Sequence, residues 1–309
     1  MRGGLEREPA KPFADPRAAH CGWFRVGGVS VELTAGRRDD VALGSPLELF
    51  RVDDGDSDVG IQISWVDSLA VTPGRQLFDS GSVWRLYDNE EQFQFDFSAP
   101  VFGEQPYKRL IVDRQFRRAT LQMSEECFGA TAYAGAALEY PLDELLIVHR
   151  LTQEKAIELH GCGIVRADGV GNLFVGHSGA GKSTTTQLWT AREEVEVLSD
   201  DRIIVRENGG QMLMYGTPWH GEAAFASPGN APLARIFVLE HGRGNVLTRL
   251  SRSQAVAELF ARSFVPFHRH EYVDSALMFL QELIEAVPCY RFAFEPDQGA
   301  VETILKLRD

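Results

Sequence analysis

The stretch "LFVGHSGAGKSTTTQLW" at 173–189 constrains the fold more than any other segment of this chain. A short apolar run, suited to a buried strand, leads into a glycine-rich octapeptide and then into residues of helical character. Gly176, Gly181, Lys182 and Ser183 fill every fixed position of G-x-x-x-x-G-K-[ST], the Walker A pattern. Without Cβ atoms in the way, the backbone N–H groups of such a loop can turn inward around phosphate oxygens. The helix that follows points the positive end of its dipole at the same place. Strand, loop and helix in this order call for an α/β domain.

The pattern also assigns roles. Gly176, His177, Ser178, Gly179, Ala180, Gly181, Lys182, Ser183 and Thr184 form the expected nucleotide-binding set. Lys182 is placed against the β- and γ-phosphates of ATP, and the Ser183 hydroxyl on Mg²⁺. Downstream, "VEVLSDDRIIV" reads as an apolar strand ending in Asp200 and Asp201. A strand end of this kind brings carboxylates beside the phosphates, where one holds Mg²⁺ and the other accepts a proton. Adjacent strand residues face opposite ways, so the two have different roles, and their order stays open. His160, in "ELHGCGIV", lies on the segment leading into the loop. His220 and Glu222, in "GTPWHGEAAF", lie on a Gly/Pro-broken loop from which side chains can turn toward a site.

The rest of the chain reads as three parts. Residues 1–20 form a tail expected to be disordered. Residues 21–140 form a β-rich N-terminal domain, because "FRVGGVSVEL", "GIQISWV", "QFQFDFSA", "YKRLIVD" and "RRATLQMS" alternate apolar and polar residues between turn signals, the pattern of antiparallel sheet. Residues 141–309 mix helices and strands, opening with "PLDELLIVHRLTQ" at helical spacing. Acidic runs such as "DDGDSD" at 53–58 read as solvated loops. Cys21, Cys127, Cys162 and Cys289 form no CxxC pair and read as reduced thiols. With 31 Lys and Arg against 44 Asp and Glu, the net charge of −13 makes nucleic acid and anionic membranes poor partners. No apolar run approaches the roughly 20 residues of a membrane span, and the N-terminus lacks an apolar signal core, so a cytoplasmic protein is expected.

Taken together, "LHGCGIV", "LFVGHSGAGKST", "VLSDDRIIV", "GTPWHGE", "PLARIFVLE" and "VPCYRFAFEPD" resemble the HPr kinase/phosphorylase catalytic domain and its wider group, over about 145–309. That resemblance implies a core shared with ATP-type phosphoenolpyruvate carboxykinases and transfer of a phosphoryl group to a serine hydroxyl of a protein. It implies that His160 belongs to the site, that Lys182 and Ser183 bind phosphate and metal, and that the proton acceptor lies in the pair Asp200–Asp201. Glu222 falls where the family carries a metal-binding glutamate, which makes Ser183, Asp200 and Glu222 the expected metal set. The chain departs from the family in having "GKSTTT", in lacking the Glu-x-Arg-Gly signature after the Asp pair, and in its β-rich N-terminal region. These departures turn the expectation from HPr toward another acceptor, such as the precursor peptide of a bacterial peptide-modification system.

The expected fold is therefore α/β, an HPr kinase / PEP carboxykinase-like P-loop kinase domain preceded by a β-rich N-terminal domain. The expected activity is ATP- and Mg²⁺-dependent transfer to a hydroxyl, serine foremost, of a peptide or protein. Asp201, Asp200, His160 and Lys182 are the expected catalytic groups. A nucleotide-binding regulatory module without transfer activity is the alternative, and homo-oligomerisation is left open. The β-rich region offers sheet edges to which an extended acceptor peptide can add.

Overall fold

The computed structural model describes residues 20–69, 74–103, 105–128 and 136–307, so the expected tail lies outside the described residues apart from His20. It is a mixed α/β structure with two sheets and, among the described residues, six α-helices. The chain divides into two compact units, one running to Leu146 and the other from Ile147 onward, with Val26–Gly28 grouped with the second.

The first unit holds strands β1 (His20–Val26), β2 (Val29–Ala35), β3 (Arg51–Val52), β4 (Val59–Val66), β5 (Arg75–Asp79), β6 (Trp84–Asp88), β7 (Gln92–Phe97), β8 (Lys108–Asp113) and β9 (Arg118–Ser124). They form one sheet in the order β3-β1-β2-β4-β9-β8-β7-β6-β5. Alternation works as the sequence suggests: Leu86, Phe95, Leu110, Leu121 and Ile63 lie side by side across five strands and are all buried. On the opposite parity, Arg109 grips Asp96 through two hydrogen bonds of 2.7 and 2.9 Å. The sheet is not purely antiparallel, because β2–β4 and β4–β9 pair in parallel. Alternation fixes which face a residue occupies but not which way its neighbour runs. Here the chain leaves β4 for the far edge and returns strand by strand, which brings β9 back parallel to β4. After β9 come helices α1 (Glu125–Phe128) and α2 (Leu142–Leu151), the latter spanning the division between the units.

The second unit contains β10 (Ala156–Arg166), β11 (Gly171–Val175), α3 (Lys182–Thr190), β12 (Val195–Ser199), β13 (Arg202–Asn208), β14 (Gln211–Tyr215), β15 (Asn230–His241), β16 (Val246–Arg249), α4 (Arg252–Phe260), α5 (His270–Ala286), β17 (Cys289–Phe294) and α6 (Gln298–Leu305). Strands β11, β15 and β17 run parallel, with β15 in the middle. Both faces are covered, which is why these strands read as nearly continuous apolar runs. Leu173, Val175, Ile236 and Val238 pack with Leu259 of α4 and with Phe279, Leu280 and Leu283 of α5. Phe174, Phe237 and Phe292 face the other way, onto Trp189 of α3 and Val301 and Ile304 of α6. Helix α4 begins with a capping box in which Ser251 and Gln254 satisfy each other's backbone N–H. No helix among the described residues is long and apolar enough to cross a membrane.

Candidate functional site

The octapeptide joins β11 to α3 at the carboxyl end of a parallel strand, where open α/β sheets place their ligands. Two of its glycines are required by geometry. Gly181 has φ 101°, and a Cβ there would sit 2.6 Å from the Phe294 ring. Gly176 has no such backbone demand, but a Cβ on it would lie 2.7 Å from the Ala180 methyl group. The loop is braced by Ala180 N–H donating to the His177 carbonyl at 3.0 Å. His241, at the end of β15, donates from Nε2 to the Gly179 carbonyl at 2.8 Å. His177, Ser178, Gly179 and Ser183 are exposed, while Thr184 is half-buried.

Lys182 is buried, and its ammonium donates to the carbonyls of Gly176 and His177, at 3.2 and 3.4 Å. Among the described residues no carboxylate forms an ion pair with it. Burial lowers its pKa; Asp201 and Cys162 oppose that shift, and Arg202 and Arg262 add to it. Cys162 is an unsuitable nucleophile, since burial pushes its thiol up to about 12 even though the Thr186 hydroxyl, 3.0 Å from its sulfur, opposes the shift.

Asp200 and Asp201 occupy the bend between β12 and β13 and meet different partners. The buried Asp200 carboxylate accepts the N–H groups of Gly221 and Ala223, both at 3.0 Å, and so ties the 217–224 loop to the strand end. Glu222 lies between those two donors and is exposed, as is His220, whose Nδ1 stays within 2.9 Å of the Gly221 carbonyl. Asp201 turns the other way. Its Oδ1 is 2.9 Å from His160 Nε2, and its Oδ2 accepts from Arg202 Nη1. Burial pushes the Asp201 carboxyl up, but the His160 hydrogen bond and the charges of Arg202 and Lys182 outweigh it and hold the pKa below the usual range.

Strand β10 ties these motifs together. Gly176 N–H donates to the His160 carbonyl at 3.5 Å, and Gly161 N–H donates to the Asp201 carbonyl at 3.0 Å. A Cβ on Gly161 would come within 3.0 Å of the Phe174 carbonyl, so the His-Gly step is what lets β10 lie this close to β11. The fold thus brings His160, Lys182 and Asp201 into one electrostatic neighbourhood, with Asp200 and its loop beside them. No three His, Cys, Asp or Glu side chains among the described residues gather around a point that suits a metal. A magnesium ion held by Ser183 and Asp200 is compatible with this, because Mg²⁺ ordinarily takes one or two protein oxygens and completes its shell with water and phosphate.

Several groups at the site carried no assignment from sequence. Glu158 stands two residues before His160 on the same strand, and Arg202 directly follows the Asp pair, so period-two spacing and adjacency were available as signals. Arg262, Phe264 and His241 arrive only through tertiary folding, as when His160 N–H donates to the Arg262 carbonyl at 2.8 Å.

No protein-family model matches the chain, and no curated protein matches it. Among solved structures it is similar to the Hpr(Ser) kinase/phosphatase from Coxiella burnetii, at 11% identity and a TM-score of 0.26, over 48% of this chain and 90% of that one. The functional reading rests instead on the site's own geometry.

Proposed function

We propose that the second unit binds ATP and moves its γ-phosphoryl group to a hydroxyl, foremost a serine of a peptide or protein. One observation carries the reading: Lys182 is a buried ammonium that ion-pairs with no carboxylate among the described residues and bonds only to carbonyls of its own glycine-rich loop. A desolvated cation without a counter-ion is costly unless an anion arrives to meet it. Helix α3 begins at Lys182, directly after the loop, so its amino end favours an anion at the same place, and a polyphosphate is the anion proposed.

In this reading Ser183 and Asp200 hold Mg²⁺, with Glu222 near enough in sequence to Asp200's backbone donors to serve from the loop. The ion, when bound, neutralises charge on the phosphates. Lys182 and the loop amides stabilise charge on the equatorial oxygens during transfer. Asp201 orients the acceptor hydroxyl and takes its proton, and His160 holds that carboxylate in place. A lowered Asp201 pKa suits a loose phosphoryl-transfer transition state, in which the nucleophile loses its proton late. An extended acceptor peptide is proposed to add to the edge of the first unit's sheet at β5.

The rival reading, a regulatory module that binds nucleotide without transfer, draws support from Asp201 being engaged on both oxygens. Labelled ATP with serine peptides, beside a calorimetric ATP titration, separates the two. Asp201→Asn is expected to keep ATP binding while cutting turnover about 10²-fold. Asp200→Asn is expected to weaken the Mg²⁺ dependence. Normal transfer by both variants would refute this mechanism.

A further inference from the structure

Behind Asp201 lies a set of side chains that the phosphate loop does not need. Arg202 stands directly opposite His160 in the β10–β13 register. Its Nη1 donates to Asp201, its Nε lies 3.5 Å from a Glu158 carboxylate oxygen, and its guanidinium carbon sits 4.1 Å above the Phe264 ring. Glu158 is fully buried. Phe264 is fixed in turn by its own N–H, which donates to the Glu158 carbonyl at 3.0 Å, and its ring meets the His160 ring edge-on at 6.3 Å. The Arg202 carbonyl accepts the Thr217 hydroxyl at 2.8 Å, at the root of the loop that Asp200 anchors.

We infer that Arg202 is a positioning residue for Asp201, itself held from behind by Glu158 and from above by Phe264. This inference rests on the proposed transfer reading. Asp201 precedes β13 in a bend, where a side chain has more than one staggered rotamer open to it. Lys182 is the competing attraction, a nearby cation that lacks a carboxylate partner. If Asp201 swung to Lys182, it would neutralise the phosphate-binding charge and leave the acceptor side. Arg202 blocks that swing by offering a nearer cation on the His160 side. Its own position is set by contacts on three sides, from a carboxylate, a ring and a backbone hydrogen bond. A lysine in its place keeps the charge but neither stacks flat on a ring nor spans two carboxylates.

The test compares Arg202→Met, Arg202→Lys, Glu158→Gln and the double variant Arg202→Met/Glu158→Gln in the full chain. Arg202→Met is expected to lower kcat about 10- to 100-fold and to weaken calorimetric ATP affinity as well, by up to about 10-fold, because the released Asp201 then partners Lys182. Arg202→Lys recovers part of the loss. Glu158→Gln lowers kcat in the same direction, and the double variant is no worse than Arg202→Met alone, because Glu158 acts through Arg202. A second readout needs no turnover: in ¹⁵N-histidine spectra assigned with His160→Gln, the wild type is expected to show a His160 Nε2–H slowed in exchange by Asp201, which should vanish in Arg202→Met and persist in Arg202→Lys. Wild-type kcat in Arg202→Met, additive losses in the double variant, or a His160 signal unchanged in Arg202→Met would each overturn the inference. If the wild-type protein binds ATP but transfers nothing, the transfer reading fails, while the His160 signal still decides whether Arg202 holds Asp201.

Discussion

Replacing Lys182 by methionine isolates the charge on which the functional reading turns. Methionine keeps the length and apolar volume of the stem, so the buried site between the loop and α3 stays filled. What disappears is the ammonium and its bonds to the Gly176 and His177 carbonyls, which at 3.2 and 3.4 Å are long. Each is charge-assisted through the ammonium, worth about 1.5–3 kcal/mol in good geometry, and at these long distances contributes about 1 kcal/mol. Against that loss stands the relief of desolvation, which in the folded state already disfavours the charged form of Lys182. The two nearly cancel, and the unliganded protein should melt within about 3 °C of wild type, a shift of roughly 1 kcal/mol. Nucleotide binding loses a charge-assisted contact of about 1.5–3 kcal/mol, so the ATP dissociation constant should rise about 10- to 100-fold and transfer should stop. The pH dependence has a definite sign. Because the folded-state pKa of Lys182 lies below its unfolded value, its penalty is complete below the folded-state pKa and fades as pH rises through it toward the unfolded value of about 10. Wild-type stability therefore gains a small increment over that alkaline range which Lys182→Met lacks. Calorimetry and thermal melts at pH 7 and 9.5 measure all of this. A large fall in melting temperature with unchanged ATP affinity would show that Lys182 is a structural cation and that the loop holds no phosphate.

Three further outcomes are expected. Gly181→Ala puts a side chain at φ 101°, costing roughly 1–2 kcal/mol, and drives its Cβ into the Phe294 ring; ATP affinity and melting temperature should both fall, and Phe294→Leu added to it should restore part of the stability, with no recovery counting against the steric account. Asp96→Ala removes the carboxylate that Arg109 grips in the first unit's sheet, at a cost of about 3–5 kcal/mol in urea unfolding; a loss below 1 kcal/mol would mean the pair is dispensable. Alkylation at pH 8 followed by mass spectrometry should mark the exposed Cys21 first and leave Cys162 and Cys289, whose thiols burial pushes up to about 12, unmodified until the protein unfolds.

Local sequence determined the pieces of this site because each piece is a local backbone event. Gly181 is needed where the chain must turn with positive φ, and the apolar run before it needs no distant partner to read as a strand. Alternation in "QFQFDF" marked Phe93, Phe95 and Phe97 for one face, since the pleat has a period of two. The direction of β4 against β2 and β9 was beyond reach, because parallel and antiparallel partners bury the same alternating residues. The adjacent aspartates announced two roles by their adjacency, but only the folded chain decided that Asp200 fastens the 217–224 loop and that Asp201 meets His160. Arg202 could be seen beside them without its meaning being visible. Its carboxylate anchor, Glu158, lies 44 residues upstream and its stacking partner, Phe264, 62 downstream. An ion pair or a ring contact over such separations exists only once the sheet has closed, so no window of sequence could hold it.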